Sequence, residues 1–269
     1  LPARDLALLV EAAKAAGEVV APFWRHAPEH WDKPDAQGPV SEADLAVDAC
    51  LRDILLSARP DYGWISEESV DERDGAAERN RSFIIDPIDG TRSFLEGART
   101  FAHSLAIAEN GRIIAGVVFL PMHDRMFQAA KGGGAFLNET PLRAGAHMGM
   151  DGADILAARP TLAAENWDTP APAANRHYRA SLAYRMALVA QGRFDAMITL
   201  RPTWFWDIAA GTLIAEEAGA EVRNAFGDHV DFADTDPRAA GIVVANPTLR
   251  ADIHARLSPT GLSSRLAIQ

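Results

Sequence analysis

Cysteine is nearly absent from this sequence. Cys50 stands alone among 269 residues, so no intrachain disulfide can form, as suits a reducing cytoplasm. Positive charge is also scarce. Twenty-six Lys and Arg face 37 Asp and Glu, a net charge of -11, with no basic stripe of the kind nucleic-acid or membrane binders carry. An anionic substrate is still allowed, because bound cations invert a local potential. No apolar run reaches 18 residues, and the start lacks the layout of a signal peptide. The expectation is a soluble cytoplasmic protein with neither a membrane nor a nucleic acid as its main ligand. Internal repeats and low-complexity tracts are lacking too. With 48% hydrophobic and 23% charged residues the chain has ample material for a core, as one large domain or two smaller ones.

The chain is organised around Ser82-Phe-Ile-Ile-Asp-Pro-Ile-Asp-Gly-Thr-Arg92. Phe83, Ile84 and Ile85 read as a buried strand that ends in two carboxylates, Asp86 and Asp89. Pro87 fixes φ and has no N–H, so a turn is expected there. Gly90 permits close approach of backbone or ligand, and Thr91 can open a helix reaching Gly97. Two acids at a strand end, followed by bare amides, can hold a divalent cation beside a phosphate. Asp-Pro and Asp-Gly are also common turn dipeptides. The three-residue spacing of the acids excludes an EF-hand loop.

Around this stretch, periodicity predicts a helix over residues 3–25 and a loop or irregular hairpin from Arg25 to Pro39, where Lys33 could meet an anion but, as a lone loop lysine, is expected to be solvated. A second helix follows to about Ser57, with Ser41 as N-cap. Asp44 there reads either as the acid of a capping box or as a group near the site. Tyr62–Ser66 is a short strand ending in Glu67-Glu68, and Ser69–Arg81 an exposed loop. Residues 101–109 and 113–120 are strands joined by the hairpin signal Asn110-Gly111. Arg125–Ala130 and Ala135–Asn138 extend this antiparallel sheet around a tight triglycine turn. A domain boundary is expected near 142–150, dividing the chain into 1–145 and 146–269. The second part alternates strands (154–158, 194–200, 240–245) with helices (181–191, 208–218, 248–257), an α/β pattern. Asp207 is placed as N-cap of the 208–218 helix, after a loop from Arg201 to Trp206.

Glu67, Asp86, Asp89 and Asp207 thus each stand at a strand end or helix start. Oxygen donors without His or Cys favour Mg²⁺, and four acids exceed what one Mg²⁺ takes, which points to a two-metal site. Such a site clamps a phosphoryl group and activates water. Thr91 can hold that water with Glu67 as its base, while the Gly90 and Thr91 amides cradle the phosphate.

Asp86-Pro-Ile-Asp-Gly-Thr91 with Trp206-Asp-Ile-Ala-Ala-Gly211 resembles the paired signature of the inositol monophosphatase superfamily. Ile65-Ser-Glu-Glu-Ser69 is similar to its Gly-Glu-Glu-Ser segment, with Ser66 in place of Gly. Lys131-Gly-Gly-Gly-Ala-Phe-Leu-Asn138 and Asp195 extend the likeness across nearly the whole chain. The resemblance implies an α/β (α+β) layered α/β/α/β/α sandwich and a lithium-sensitive, homodimeric phosphomonoesterase with two or three Mg²⁺. Carried over, Glu67, Asp86 and the Ile88 carbonyl hold the first metal, and Asp86, Asp89 and Asp207 the second. Glu67 helps with a third, and Thr91 and Asp44 assist the attacking water. Asp89, Gly90, Thr91, Asp207 and Arg92 contact the substrate.

For the substrate, inositol phosphatases of this kind carry Glu where this chain has Leu200. An unpaired sugar hydroxyl there costs about 1–3 kcal/mol. Ser66-Glu67-Glu68 and Arg92 resemble the 3'(2'),5'-bisphosphate nucleotidase branch, which makes adenosine 3',5'-bisphosphate the expected substrate. A second phosphate would meet Arg92, Arg176, Arg179 or Arg185, and Trp204, Phe205 or Trp206 would stack on the purine. Inositol 1-phosphate, histidinol phosphate and fructose 1,6-bisphosphate stay open. The rival readings are a regulatory partner of RNA-processing or transcription machinery and a metal-binding protein without turnover.

Overall fold

Two sheets with a pair of buried helices between them organise the chain. The computed structural model describes residues 2–34, 38–69, 79–168, 172–259 and 262. In chain order the first elements are α1 (Pro2–Val20), β1 (His30–Asp32), β2 (Pro39–Ser41), α2 (Glu42–Ala58), β3 (Gly63–Ser66), β4 (Arg81–Asp89) and α3 (Thr91–Leu95). Then come β5 (Ala102–Glu109), β6 (Arg112–Leu120), β7 (Arg125–Ala130), β8 (Ala135–Leu137) and β9 (Thr140–Pro141). The chain next enters β10 (Asp154–Ala157), β11 (Asn175–His177), α4 (Leu182–Ala190), β12 (Ala196–Trp204) and α5 (Phe205–Glu217). It closes with β13 (Glu221–Arg223), β14 (Arg238–Ala245) and α6 (Pro247–Arg256).

The first sheet has seven strands in the order β3-β4-β5-β6-β7-β8-β9, antiparallel except for the parallel pair β3–β4. The second has five, in the order β11-β10-β12-β14-β13, with β10 parallel to both its neighbours. β4 is apolar on both sides because both sides are covered. Phe83 and Ile85 face α1 and α2 together with Leu9, Val47 and Leu51. Ile84 faces the other way, into the cluster built on α4 and α5 with Met186, Ile208 and Leu213. That cluster also takes in Met197 and Val244 of the second sheet. Beyond it, Ile198, Val243, Leu249 and Ile253 pack α6 against the outer face. The layers therefore run α/β/α/β/α, as expected. α5 is apolar all round, as a helix between two sheets must be. Small residues let it sit close. A Cβ at Gly116 would stand 3.0 Å from the Ala210 carbonyl, and one at Gly211 2.7 Å from the Met186 Cβ.

Several boundaries differ from expectation. The first helix stops at Val20 rather than residue 25, because Pro22 lacks an N–H and its ring opposes the preceding turn. The Arg25–Pro39 stretch is an irregular hairpin, with β1 and β2 paired antiparallel. β4 does not turn at Pro87. It carries a bulge and resumes pairing at Asp89. β12 likewise runs on to Trp204 through a bulge between Thr199 and Pro202, so 201–206 is not a loop. Gly241 accommodates this second bulge, since a Cβ there would lie 2.7 Å from the Thr199 carbonyl. Asp207 is accordingly not the N-cap of α5, a place Trp204 takes, but lies in the first turn. Most of the expected Ser69–Arg81 loop, residues 70–78, lies outside the described residues.

A candidate metal centre and phosphate site

In a regular strand, residues three apart point to opposite faces. The bulge in β4 changes that for Asp86 and Asp89. Asp86 pairs with Ser104 and Asp89 with Ala102, three residues against two, and the extra residue returns both acids to one side. Ser104, the neighbour of Asp86 across the sheet, donates its hydroxyl to the Trp206 carbonyl at 2.9 Å. This draws the first turn of α5 onto the strand and sets Asp207 beside Asp86. Carboxylate oxygens of Asp86, Asp89 and Asp207 all lie within 4.8 Å of one another.

Three like charges at that spacing repel by roughly 3–4 kcal/mol per pair in a partly screened interior. Asp89 is partly relieved by the start of α4, where Ser181 Oγ and the Ala183 amide each donate at 2.7 Å. Burial still pushes its carboxyl up to about 6. Burial, with Glu67 and Asp89 nearby, holds Asp86 well above the carboxylate range. Asp207 is raised by burial and by the charges of Asp89 and Glu67. Asp86 Oδ1 is buried with no hydrogen-bond partner among the described residues. An orphaned carboxylate oxygen amid converging acids is the environment a hard divalent cation satisfies, so these donors fit the expected metal.

Glu67 and Glu68 follow β3 directly. The Glu67 amide donates to the Ile85 carbonyl at 3.2 Å, which fixes the turn beside β4. Their carboxylates meet Lys33, whose ammonium lies 2.8 Å from Glu67 and 2.9 Å from Glu68. Lys33 is therefore paired, contrary to the expectation of a solvated lysine. Burial lowers its pKa, but the two acids outweigh that and raise it above the usual lysine range. Glu68 is pushed up to about 8 by burial and by Glu67. Ser66, which replaces the similar family's Gly, donates to Asp48 at 2.5 Å, and Ser69 donates to the other Asp48 oxygen at 3.1 Å. Asp48 on α2 thus clamps both sides of the Glu67-Glu68 turn.

Asp44 joins its two expected roles. It accepts the Ser41 amide at 2.8 Å as a capping acid, while its other oxygen faces Thr91 Oγ1 at 3.2 Å. The Thr91 hydroxyl also lies 3.1 Å from the Ile88 carbonyl. Burial pushes Asp44 up to about 6. Gly90 adopts φ +100°, which a side chain would resist, and with Thr91 it lines the same cleft as the acids.

Glu67, Asp86, Ile88, Asp89, Gly90, Thr91, Arg92 and Asp207 line one open cleft of about 430 Å³. A smaller cavity of about 260 Å³ between α5 and β6, at Arg112, Lys131, Glu216, Glu217 and His229, holds no such cluster among the described residues. Of the four arginines expected near a second phosphate, only Arg92 lines the cleft. Arg176 donates to the Ala157 carbonyl and Arg179 to the Tyr178 carbonyl. Arg185 is buried and donates to the Arg179 carbonyl. The aromatic cluster is also elsewhere. Phe205 and Trp206 are buried in the core, and Trp204 stacks on Trp206 with centroids 4.8 Å apart. Two residues that sequence reasoning passed over, Tyr178 and Arg201, line the cleft instead. Arg201 sits in the β12 bulge, and the Arg-Pro pair just ahead of Asp207 was the available signal.

A sequence profile of the inositol monophosphatase family matches residues 3–260. The chain is 38% identical over 190 residues to an inositol-1-monophosphatase of Rhizobium meliloti, covering 67% of this chain and 70% of that protein. It is 34% identical over 243 residues to the Nus factor SuhB of Salmonella typhimurium, covering 83% and 86%. The crystal structure of the extragenic suppressor protein SuhB from Bartonella henselae superposes with a TM-score of 0.78 at 27% identity, over 96% of this chain and 98% of that one.

Proposed function

The chain belongs to the inositol monophosphatase family, metal-dependent phosphatases of small phosphorylated substrates, and we propose that it hydrolyses adenosine 3',5'-bisphosphate to AMP. The triad of buried Asp86 and Asp89 with half-buried Asp207, and its orphaned oxygen, is the observation that carries the phosphatase reading. Glu67, Asp86 and the Ile88 carbonyl would hold one Mg²⁺, and Asp86, Asp89 and Asp207 another, with Glu67 available to a third. When bound, Mg²⁺ neutralises phosphate charge and makes water acidic enough to attack at neutral pH.

The chain's own groups do the rest. Thr91 Oγ1, set between Asp44 and the Ile88 carbonyl, orients the attacking water, and Glu67 takes its proton. Lys33 keeps the Glu67 carboxylate in place. The Gly90 and Thr91 amides receive the phosphate. Water adds to phosphorus, the bond from phosphorus to the ribose 3'-oxygen breaks, and that oxygen leaves with a proton taken from solvent, to which Glu67 returns its own.

The choice of a bisphosphate rests on the cleft's cations and on Leu200. Arg92 and Arg201 line the wall beside the acids. Arg201 acts electrostatically on Asp207, which puts its charge beside the acids, where it would meet a second phosphate. Leu200 is buried in the outer apolar cluster and offers a polyol no acceptor. Inositol 1-phosphate is the alternative, in keeping with the name of the Rhizobium relative. The Nus factor relatives favour a regulatory partner of transcription machinery as the non-enzymatic alternative. Lithium inhibition and a cytoplasmic homodimer belong to the proposed reading. No described helix is long and apolar enough to cross a membrane.

The test is phosphate release from adenosine 3',5'-bisphosphate, inositol 1-phosphate, histidinol phosphate and fructose 1,6-bisphosphate, with Mg²⁺ and then with Li⁺ added. The nucleotide should be preferred and Li⁺ should inhibit. Preference for inositol 1-phosphate overturns the substrate assignment. No turnover of any of the four overturns the enzyme reading in favour of the regulatory one.

A further inference from the structure

Tyr178 is the one aromatic side chain among the described residues lining the cleft, and it is 53% exposed. Most of a tyrosine's surface is apolar, so a half-exposed ring in a cleft shared with Asp86, Asp89, Asp207, Arg92 and Arg201 needs a reason. One face of the ring is already occupied. The guanidinium carbon of Arg185 lies 4.5 Å from the ring centroid. Arg185 is itself only 5% exposed and is fixed through Nε to the Arg179 carbonyl at 2.5 Å. A buried, tethered cation under a ring holds it in one orientation. It also draws electron density toward itself, which leaves the outer face suited to an electron-rich purine.

The position is also right. Tyr178 follows β11 and stands three residues before Ser181, whose hydroxyl binds Asp89 at 2.7 Å. Three residues span roughly 10 Å at most, about the reach of a ribose between a phosphate on the acids and a base on the ring. The cleft as a whole is large enough for such a ligand, at about 430 Å³.

We propose that Tyr178, backed by Arg185, is the platform on which the substrate's nucleobase stacks, so the cleft selects nucleotides over polyol phosphates. This rests on the phosphatase reading of the same cleft but not on the second phosphate. The test compares ligands with and without a base, in wild type, Tyr178→Ala and Tyr178→Phe. Calorimetry with Mg²⁺ present would measure AMP against ribose 5-phosphate, and kinetics would measure KM for adenosine 3',5'-bisphosphate against ribose 3,5-bisphosphate. Wild type should favour each base-bearing ligand by about tenfold or more, the usual worth of stacking one base on an aromatic ring. Tyr178→Ala should collapse that preference toward unity, while Tyr178→Phe keeps it. An unchanged preference in Tyr178→Ala overturns the platform, as does an equal loss for both members of each pair. If AMP binding depends on Tyr178 but the bisphosphate is not hydrolysed, the platform stands and the bisphosphate assignment falls. Hydrolysis of the bisphosphate with no dependence on Tyr178 has the opposite meaning.

Discussion

Replacing Asp86 by Asn should stabilise the metal-free protein while removing its response to Mg²⁺. Asp86 is 1% exposed, shares its site with Asp89 and Asp207, and has an oxygen without a partner. Its carboxyl has a folded pKa well above the ordinary 3.8 because of burial and those neighbours. A carboxyl raised in this way favours folding fully below its unfolded pKa, and that contribution is lost as pH rises through the folded value. At pH 7 the most it can cost, relative to a neutral group, is about 4 kcal/mol. Asn removes the charge but still buries a polar amide, so about half of this, ~2 kcal/mol, should appear as a gain. For a chain of this size that is roughly 4–8 °C in Tm. The assay is thermal unfolding in EDTA between pH 4 and 8, repeated with Mg²⁺. The gain should be near nil at pH 4 and largest at pH 8, and only wild type should be further stabilised by Mg²⁺. A gain independent of pH, or a variant less stable throughout, would refute the electrostatic account of the cluster.

Lys33→Met leaves Glu67 and Glu68 without their cation and should cost about 3 kcal/mol in metal-free urea unfolding, partly recovered by Mg²⁺. An unchanged midpoint would mean that the two ion pairs add nothing. Leu200→Glu restores the acid of the inositol phosphatases but puts it into the apolar cluster under α6, so stability should fall by about 3 kcal/mol or more. Turnover of inositol 1-phosphate should not rise in that variant, and a gain would place the side chain in the cleft after all. Burial holds His103 down to about 4, against 6.5 when exposed. Its contribution is therefore present above pH 6.5 and lost as pH falls toward 4, by at most about 3 kcal/mol. His103→Phe should flatten the acid side of a plot of urea midpoint against pH, and an unaltered slope would assign the acid sensitivity to other groups.

What was legible in the sequence was written in local backbone chemistry. Asn110 and Gly111 turn with φ +49° and +72°, the hairpin their dipeptide announces. Arg125–Ala130 pairs over the predicted span, and the triglycine turn is a turn, its amides bound to Glu217. Asp86, Asp89 and Asp207 were legible because Pro87, Gly90 and the start of the apolar helix around Asp207 mark a change of backbone at each. Groups placed by partners far along the chain were not legible. Lys33 meets Glu67 across 34 residues, and no local pattern announces such a pair. Tyr178 enters the cleft because α4 docks on Asp89, and Arg201 because β12 bulges where Pro202 would otherwise break the ladder. Trp204 and Trp206 looked available to a base because sequence does not tell a core stack from an exposed one.

The two bulges carry one extra residue each, ahead of acids that must meet: Asp86 to Asp89 in β4, and Thr199 to Pro202 before Asp207. Leu200 and Ser66 stand where the resembling pattern has Glu and Gly, and neither lines the cleft. Paired one for one, without the first bulge, the same residues would turn Asp89 toward the face opposite Asp86, whatever the side chains. Descent with insertions or deletions should be confined to segments outside these two strands, because there residue count, as much as residue type, is the inherited requirement.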